Sequence, residues 1–541
     1  MTAPATVAEQ VGTLLAGLGV GRAFGVVGSG NFHVTNALRA AGVAYTAARH
    51  EGGATTMADA YARTSGEVGV VTLHQGCGLT NALTGIAEAA KSRTPLLVLT
   101  ADIRAADVRS NFRIDQDAVV RGVGAVAERV HSPASAAADV VRAYATCRDQ
   151  RRTVVLNLPL DVQAAVAADT PAPARTTWRP PRPDVESVAA LVRLLDAARR
   201  PVFVAGRGAR GARPELDALA DRCGALLATS AVAHGLFTGH PWALGISGGF
   251  STPLAAELIS GADLVVAWGA SLTAWTTRHG ELLGDATLVQ VDDTPEALGG
   301  QRPVALGVLG DVAATARDVL EACPGSSAGY RTAQVAARLA AEARPGSPVE
   351  VAGTRIDPRV LSAALDELLP AERTVAVDSG NFMGYPASYL AVPDEAAFCF
   401  TQSFQSVGLG LATAVGAALA RPDRLTVAAC GDGGFLMGIS ELETVVRLGL
   451  DMVVVVYDDA GYGAEFHHFE GADHTAVRFP DTDLAAIARG YGCDGAVVRS
   501  TADLKILREW LDGPRDRPLL LDAKVRSDEP SWWLAEAFRG H

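Results

Sequence analysis

Two acidic turns stand out in the last third of the chain. LTVAAC (425–430) runs straight into Gly431-Asp432-Gly433-Gly434, and MVVVVY (452–457) into Asp458-Asp459-Ala460-Gly461. Apolar runs of this kind read as buried strands, and parallel strands end on one sheet edge, so Asp432 and Asp459 are expected to converge. Gly433 and Gly434 leave room for backbone N–H groups to approach an anion where a helix starts. Two carboxylates, a backbone carbonyl and phosphate oxygens are hard ligands that suit Mg²⁺. Gly-Asp-Gly alone is also an ordinary strand–helix turn; the second acidic turn one crossover later gives it weight.

The elements that must position these groups recur along the whole chain. Apolar runs such as AFGVV (23–27), VGVVTL (68–73), PLLVLT (95–100), VVLNLP (154–159), PVFVAG (201–206) and LVVAWG (264–269) alternate with amphipathic, alanine-rich stretches. That alternation predicts α/β architecture with doubly wound parallel sheets. Proline-rich 165–185 and the 323–358 region break the pattern and read as linkers. Three domains are therefore expected, at 1–165, 185–325 and 355–541.

Composition narrows the function classes. The 541 residues carry 47 basic and 60 acidic side chains, a net charge of −13, which argues against a nucleic-acid binder. No run approaches the ~18 apolar residues of a membrane span, and MTAPATVAEQ lacks the pattern of a secretory signal. Seven cysteines without a CxxC pair fit reduced thiols and a cytoplasmic location rather than a zinc site or disulfide scaffold. Only three lysines occur, Lys91, Lys505 and Lys524.

Motifs at both ends then resemble one family. Arg49-His50-Glu51-Gly52-Gly53 leads into ATTMADAYAR (54–63); HQGCGLTNALTGIAEAAKSRTPLLVLTAD spans 74–102; FQSVGLGLATAVGAALA spans 404–420. With the two acidic turns, in this order, they resemble thiamine diphosphate (ThDP) enzymes of the acetolactate synthase and 2-oxo acid decarboxylase branch. The resemblance implies a pyrimidine-binding, a central and a diphosphate-binding domain. It implies ThDP and Mg²⁺ as cofactors, and a homodimer or homotetramer with sites between subunits.

The resemblance also implies roles for individual residues. Glu51 would activate the cofactor through its aminopyrimidine ring. Val407 takes the place of the bulky apolar residue that bends the cofactor, and Met437, Gln405 and Asn381 fall at cofactor-pocket positions, with Gly433 and Gly434 at the diphosphate. Asp432, Asp459 and the Gly461 carbonyl would hold the metal, although the family commonly has asparagine where Asp459 stands. Ser29, His74 and Gln116 match substrate-side positions, and Glu465 and His468 match groups that handle protons after the metal turn. Adjacent His467 and His468 cannot both face one way on a helix.

The middle segment contains Gly206-Arg207-Gly208-Ala209-Arg210-Gly211 after a strand, which fits the dinucleotide fingerprint without a cleanly placed ribose acid. In the resembled branch this domain binds FAD in some members and nothing in others. Arg278 lies near a flavin- or acceptor-contacting arginine, and bound FAD is the less favoured expectation. The expected activity is decarboxylation of a pyruvate-like 2-oxo acid and coupling of the enamine to a second carbonyl, giving an acyloin or acetolactate-type product. The alternatives are a simple decarboxylase that releases an aldehyde and, weaker, a dinucleotide-dependent oxidoreductase.

Overall fold

The computed structural model describes residues 4–169, 173–174, 178–323, 325–342, 345–346, 348–537 and 539. Parts of the two expected linkers lie outside the described residues. The first sheet comprises β1 (Arg22–Gly25), β2 (Ala44–Ala47), β3 (Gly69–Leu73), β4 (Leu96–Asp102), β5 (Val126–Arg129) and β6 (Thr153–Pro159). The second comprises β7 (Pro201–Ala205), β8 (Leu226–Thr229), β9 (Ala243–Ile246), β10 (Leu264–Trp268), β11 (Thr287–Asp292) and β12 (Leu306–Leu309). The third comprises β13 (Arg373–Val377), β14 (Phe398–Phe400), β15 (Leu425–Gly431), β16 (Met452–Asp458), β17 (Asp494–Val498) and β18 (Leu519–Lys524).

All three sheets are parallel, which gives the three α/β units that the apolar runs predict. β3, β4, β6, β7, β10 and β16 are buried at every position, because helices cover both faces and leave no solvent side for polar alternation. The first sheet runs β2-β1-β3-β4-β6-β5 and the third β14-β13-β15-β16-β18-β17, the same order twice. In each the chain leaves the first strand toward one edge and returns to its other side. The crevice at that reversal, outside the strand C-termini, is where open parallel sheets bind ligands.

The outer units pack through one pair of helices. Glu51–Ser65 is buried from Ala54 to Thr64 and lies against Gly410–Ala420, itself almost wholly buried. Small residues allow the approach: a Cβ on Gly416 would sit 2.1 Å from the Met57 carbonyl oxygen. The ATTMADAYAR and GLATAVGAALA runs are thus two sides of one interface.

Candidate active site

The diphosphate-side residues do meet. Asn381 follows β13, Asp432 follows β15 and Asp459 follows β16. A Cβ on Gly463 would meet Asp459 Oδ2 at 2.2 Å and Asn381 Nδ2 at 2.9 Å, and one on Gly434 would meet Val407 Cγ1 at 3.1 Å. Gly408 places its missing side chain against Met437. Gln405 and Ala460 flank the site with positive φ, 60° and 59°, a conformation that costs a non-glycine residue energy and collects at functional sites. One cavity of about 1460 Å³ is lined by Asn381, Gln405, Val407, Asp432, Asp459 and Glu465, and reaches the central unit.

Its electrostatics fit a divalent cation. Burial pushes the Asp432 carboxyl up to about 8, with repulsion from Asp459 and Asp458 adding to it. Burial likewise pushes Asp459 up to about 6, helped by Asp458 and opposed by a hydrogen bond with Asn381. Two buried carboxylates that repel each other are relieved by a cation between them. Among the described residues no group of three or more His, Cys, Asp or Glu side chains could hold a metal. A cation here would therefore complete its shell with the Gly461 carbonyl and ligand oxygens.

The remaining residues gather at the reversal crevice of the first sheet. Asn81 Nδ2 donates to Glu51 Oε2 at 3.0 Å, and a Cβ on Gly78 would meet His74 Cβ at 3.1 Å and Glu51 Oε1 at 3.7 Å. His74 Nδ1 lies 3.0 Å from the Gln75 carbonyl and so must carry the proton. Its Nε2 lies 3.3 Å from the exposed Ser29 hydroxyl. None of Glu51, His74 and Ser29 lines the large cavity.

Three of the expected residues are already engaged within the fold. Gln116 is 2 % exposed; its Oε1 accepts from Gly76 N at 2.8 Å, and its Nε2 donates to Ala101 O and Asn157 Oδ1. Saturated and buried, it braces the turn after His74 and does not face the crevice. His468 meets the Phe469 ring edge to face, whereas its neighbour His467 has a buried ring nitrogen (Nε2) lacking a hydrogen-bond partner and a pKa lowered by burial. Arg278 donates from Nε and one terminal nitrogen to the carbonyls of Gly248 and Ser251 inside the central unit. The fingerprint glycines also have a packing role, since Cβ atoms on Gly206 and Gly208 would strike Gly269. Asp292 and Asp293, at the end of β11, pair with Arg93 and Arg151 of the first unit.

Two buried carboxylates that the motifs did not single out organise the site. Asp378 accepts from Ser379 N at 2.8 Å and from Gly408 N and Leu409 N at 3.1 Å, which fixes the turn behind Val407. Glu441 accepts from Arg49 N and His50 N at 3.0 Å, which ties the third unit to the two residues that lead into the helix starting with Glu51, itself capped by the His50 side chain.

Models of three domain families match the chain in order. They are the thiamine pyrophosphate enzyme N-terminal TPP binding domain (5–120), central domain (188–319) and C-terminal TPP binding domain (378–523). A probable 2-ketoarginine decarboxylase of Pseudomonas aeruginosa is 32% identical over 523 residues, covering 94% of this chain and 91% of that protein. A sulfoacetaldehyde acetyltransferase of Castellaniella defragrans is 29% identical, covering 90% and 87%. A putative acetolactate synthase large subunit of Mycobacterium tuberculosis is 30% identical, covering 86% and 88%.

Proposed function

The chain belongs to the thiamine pyrophosphate enzymes, and from that premise we propose that it is a carboligase acting on a 2-oxo acid and a second carbonyl compound. The observation that supports this reading is the cavity of about 1460 Å³, which extends from the Asp432 and Asp459 turns, where the cofactor would lie, on to the central unit. When bound, ThDP supplies a carbon nucleophile that adds to the 2-oxo carbonyl and takes up the electron pair as CO₂ leaves.

The chain's own residues do the rest. Asp432, Asp459 and the Gly461 carbonyl would hold Mg²⁺ against the diphosphate, with Asn381, Gln405, Gly433 and Gly434 around it and Val407 and Met437 shaping the pocket. Glu51, held by Asn81, keeps a proton at the aminopyrimidine ring. The Ser29 hydroxyl orients the substrate carboxylate beside His74, and Glu465 on the cavity wall delivers or withholds a proton at the reacting carbon. Decarboxylation with aldehyde release is the second reading, favoured by the exposed Glu465 carboxyl beside the metal turn.

The complete site needs a second copy of the chain. Glu51 and Asp432 serve separate half-sites here, and Val407, Met437, Phe404 and Phe112 expose 38%, 57%, 44% and 43% of their surface. A two-fold dimer, alone or doubled into a tetramer, covers such apolar surface and closes two sites at once. No helix among the described residues is long and apolar enough to cross a membrane. The seven cysteines are free thiols, in keeping with a cytoplasmic location.

The test is product analysis with pyruvate or 2-ketoarginine as donor, with and without an added aldehyde. A carboligase gives a coupled product, an acyloin with the added aldehyde or an acetolactate-type hydroxy-oxo acid when a second 2-oxo acid is the acceptor. Aldehyde as the product in both arms establishes the decarboxylase reading instead, and no CO₂ from either donor rejects both donors.

A further inference from the structure

Behind the metal turn lies a buried ammonium that no motif pointed to. Lys524, at the end of β18, is 2 % exposed in a chain whose basic residues are otherwise nearly all arginine. Its Nζ lies 2.6 Å from Asp458 Oδ2, 2.8 Å from Asp481 Oδ1, 3.1 Å from Asp522 Oδ2 and 2.7 Å from the Thr482 carbonyl. A compact point charge suits four oxygens at this range, where a planar guanidinium fork would not fit.

Each partner leads to the site. The other oxygen of Asp458 accepts from Ala460 N at 2.9 Å, which holds the positive-φ residue between Asp459 and Gly461. Asp481 and Thr482 belong to the segment that folds back over that turn: Tyr462 N donates to Val477 O, Phe479 N to Ala460 O, and Gly461 bridges to Arg478. Asp522 also accepts from Leu484 N, where that segment enters its next helix. Arg355 adds a second brace, donating to the carbonyls of Asp458 and Val525.

We infer that Lys524 is a positioning residue for the cation site, fixing the Asp459–Gly461 turn through Asp458 and its covering segment through Asp481 and Thr482. The inference rests on the Mg²⁺ reading above. Position and charge predict opposite signs. Removing a cation near three aspartates should tighten Mg²⁺ binding by Coulomb's law alone, whereas losing the clamp should weaken it.

The experiment is calorimetric titration of Mg²⁺ into ThDP-saturated protein, comparing wild type with Lys524→Met, Asp481→Asn and Asp432→Ala, each checked for native circular dichroism. Positioning predicts Mg²⁺ affinity at least tenfold weaker in Lys524→Met and a smaller loss, at least about threefold, in Asp481→Asn. Unchanged or tighter binding in folded Lys524→Met overturns the inference. If Lys524→Met does not fold, Asp481→Asn decides, because Asp481 is half exposed and its loss spares the core; the titration is then run in high salt, which screens the bare loss of an exposed charge, and unchanged affinity there overturns the inference. Unchanged affinity in Asp432→Ala rejects the metal reading itself, a separate failure.

Discussion

At Asp378, burial without a counter-ion has a consequence that can be measured. Its carboxyl is pushed up to about 7 by burial, against the backbone N–H groups that favour the charged form. A carboxyl raised on folding adds stability that is fully present below its unfolded pKa of about 4 and is lost as pH rises through the folded value. The apo-protein should therefore lose stability between about pH 4 and pH 7. Asp378→Asn, which mimics the neutral acid, should flatten that slope. Melting temperatures at pH 5 and pH 7.5 for both proteins test this; equal slopes would show that Asp378 is ionised throughout. Asp378 was not legible in the sequence because its partners are main-chain N–H groups, two of them some thirty residues away, and such pairing leaves no spacing pattern. Asp432 and Asp459 were legible because each ends a strand whose apolar run fixes where it points. The partners of Gln116 were not legible either, because residue type says nothing about which way a side chain turns at the start of a helix.

Helices and sheets carry a different part of the argument. The strand runs and their order along the chain announced three parallel α/β units, since continuous apolar runs arise only where both sheet faces are covered. The packing of Glu51–Ser65 against Gly410–Ala420 was less visible, because alanine and glycine serve equally as helix formers and as close-contact residues. Gly416 shows the difference: any Cβ there meets the Met57 backbone, which cannot swing aside as a flexible side chain does. Gly416→Val should cost at least about 3 kcal/mol, the range of severe overpacking, read as a large fall in melting temperature or a loss of soluble protein. A variant that melts with wild type would mean that the helices have room to part. Glu441 makes this interface more than packing, since it ties the third unit to the start of the Glu51 helix.

For the whole molecule, the separation of the half-sites predicts complementation. Glu51→Gln chains lack the activating carboxyl but keep the diphosphate side; Asp432→Ala chains have the reverse defect. Each should be nearly inactive alone, with turnover down by at least about 10²-fold, the scale of an acid–base group. Co-refolded in equal amounts, half the two-fold dimers should be hybrids, each with one intact and one doubly defective site. Activity should then recover to about a quarter of wild type. No recovery, with mixed dimers confirmed by mass spectrometry of differently tagged chains, would mean that each chain builds its own complete site.

The scarcity of lysine has a practical side. With Lys524 sealed in the core, side-chain amines open to a reagent are few: Lys505 on the helix Lys505–Asp512, and Lys91, which lines the large cavity and holds its ammonium 5.6 Å over the Phe404 ring. An acylating label therefore reads the protein almost as a two-position instrument. Lys505, which does not line the cavity, sets the baseline, while the rate at Lys91 follows whatever enters. Mass spectrometry of that one peptide would follow occupancy of the cavity without a substrate assay, and would do so for ligands whose chemistry is still unassigned.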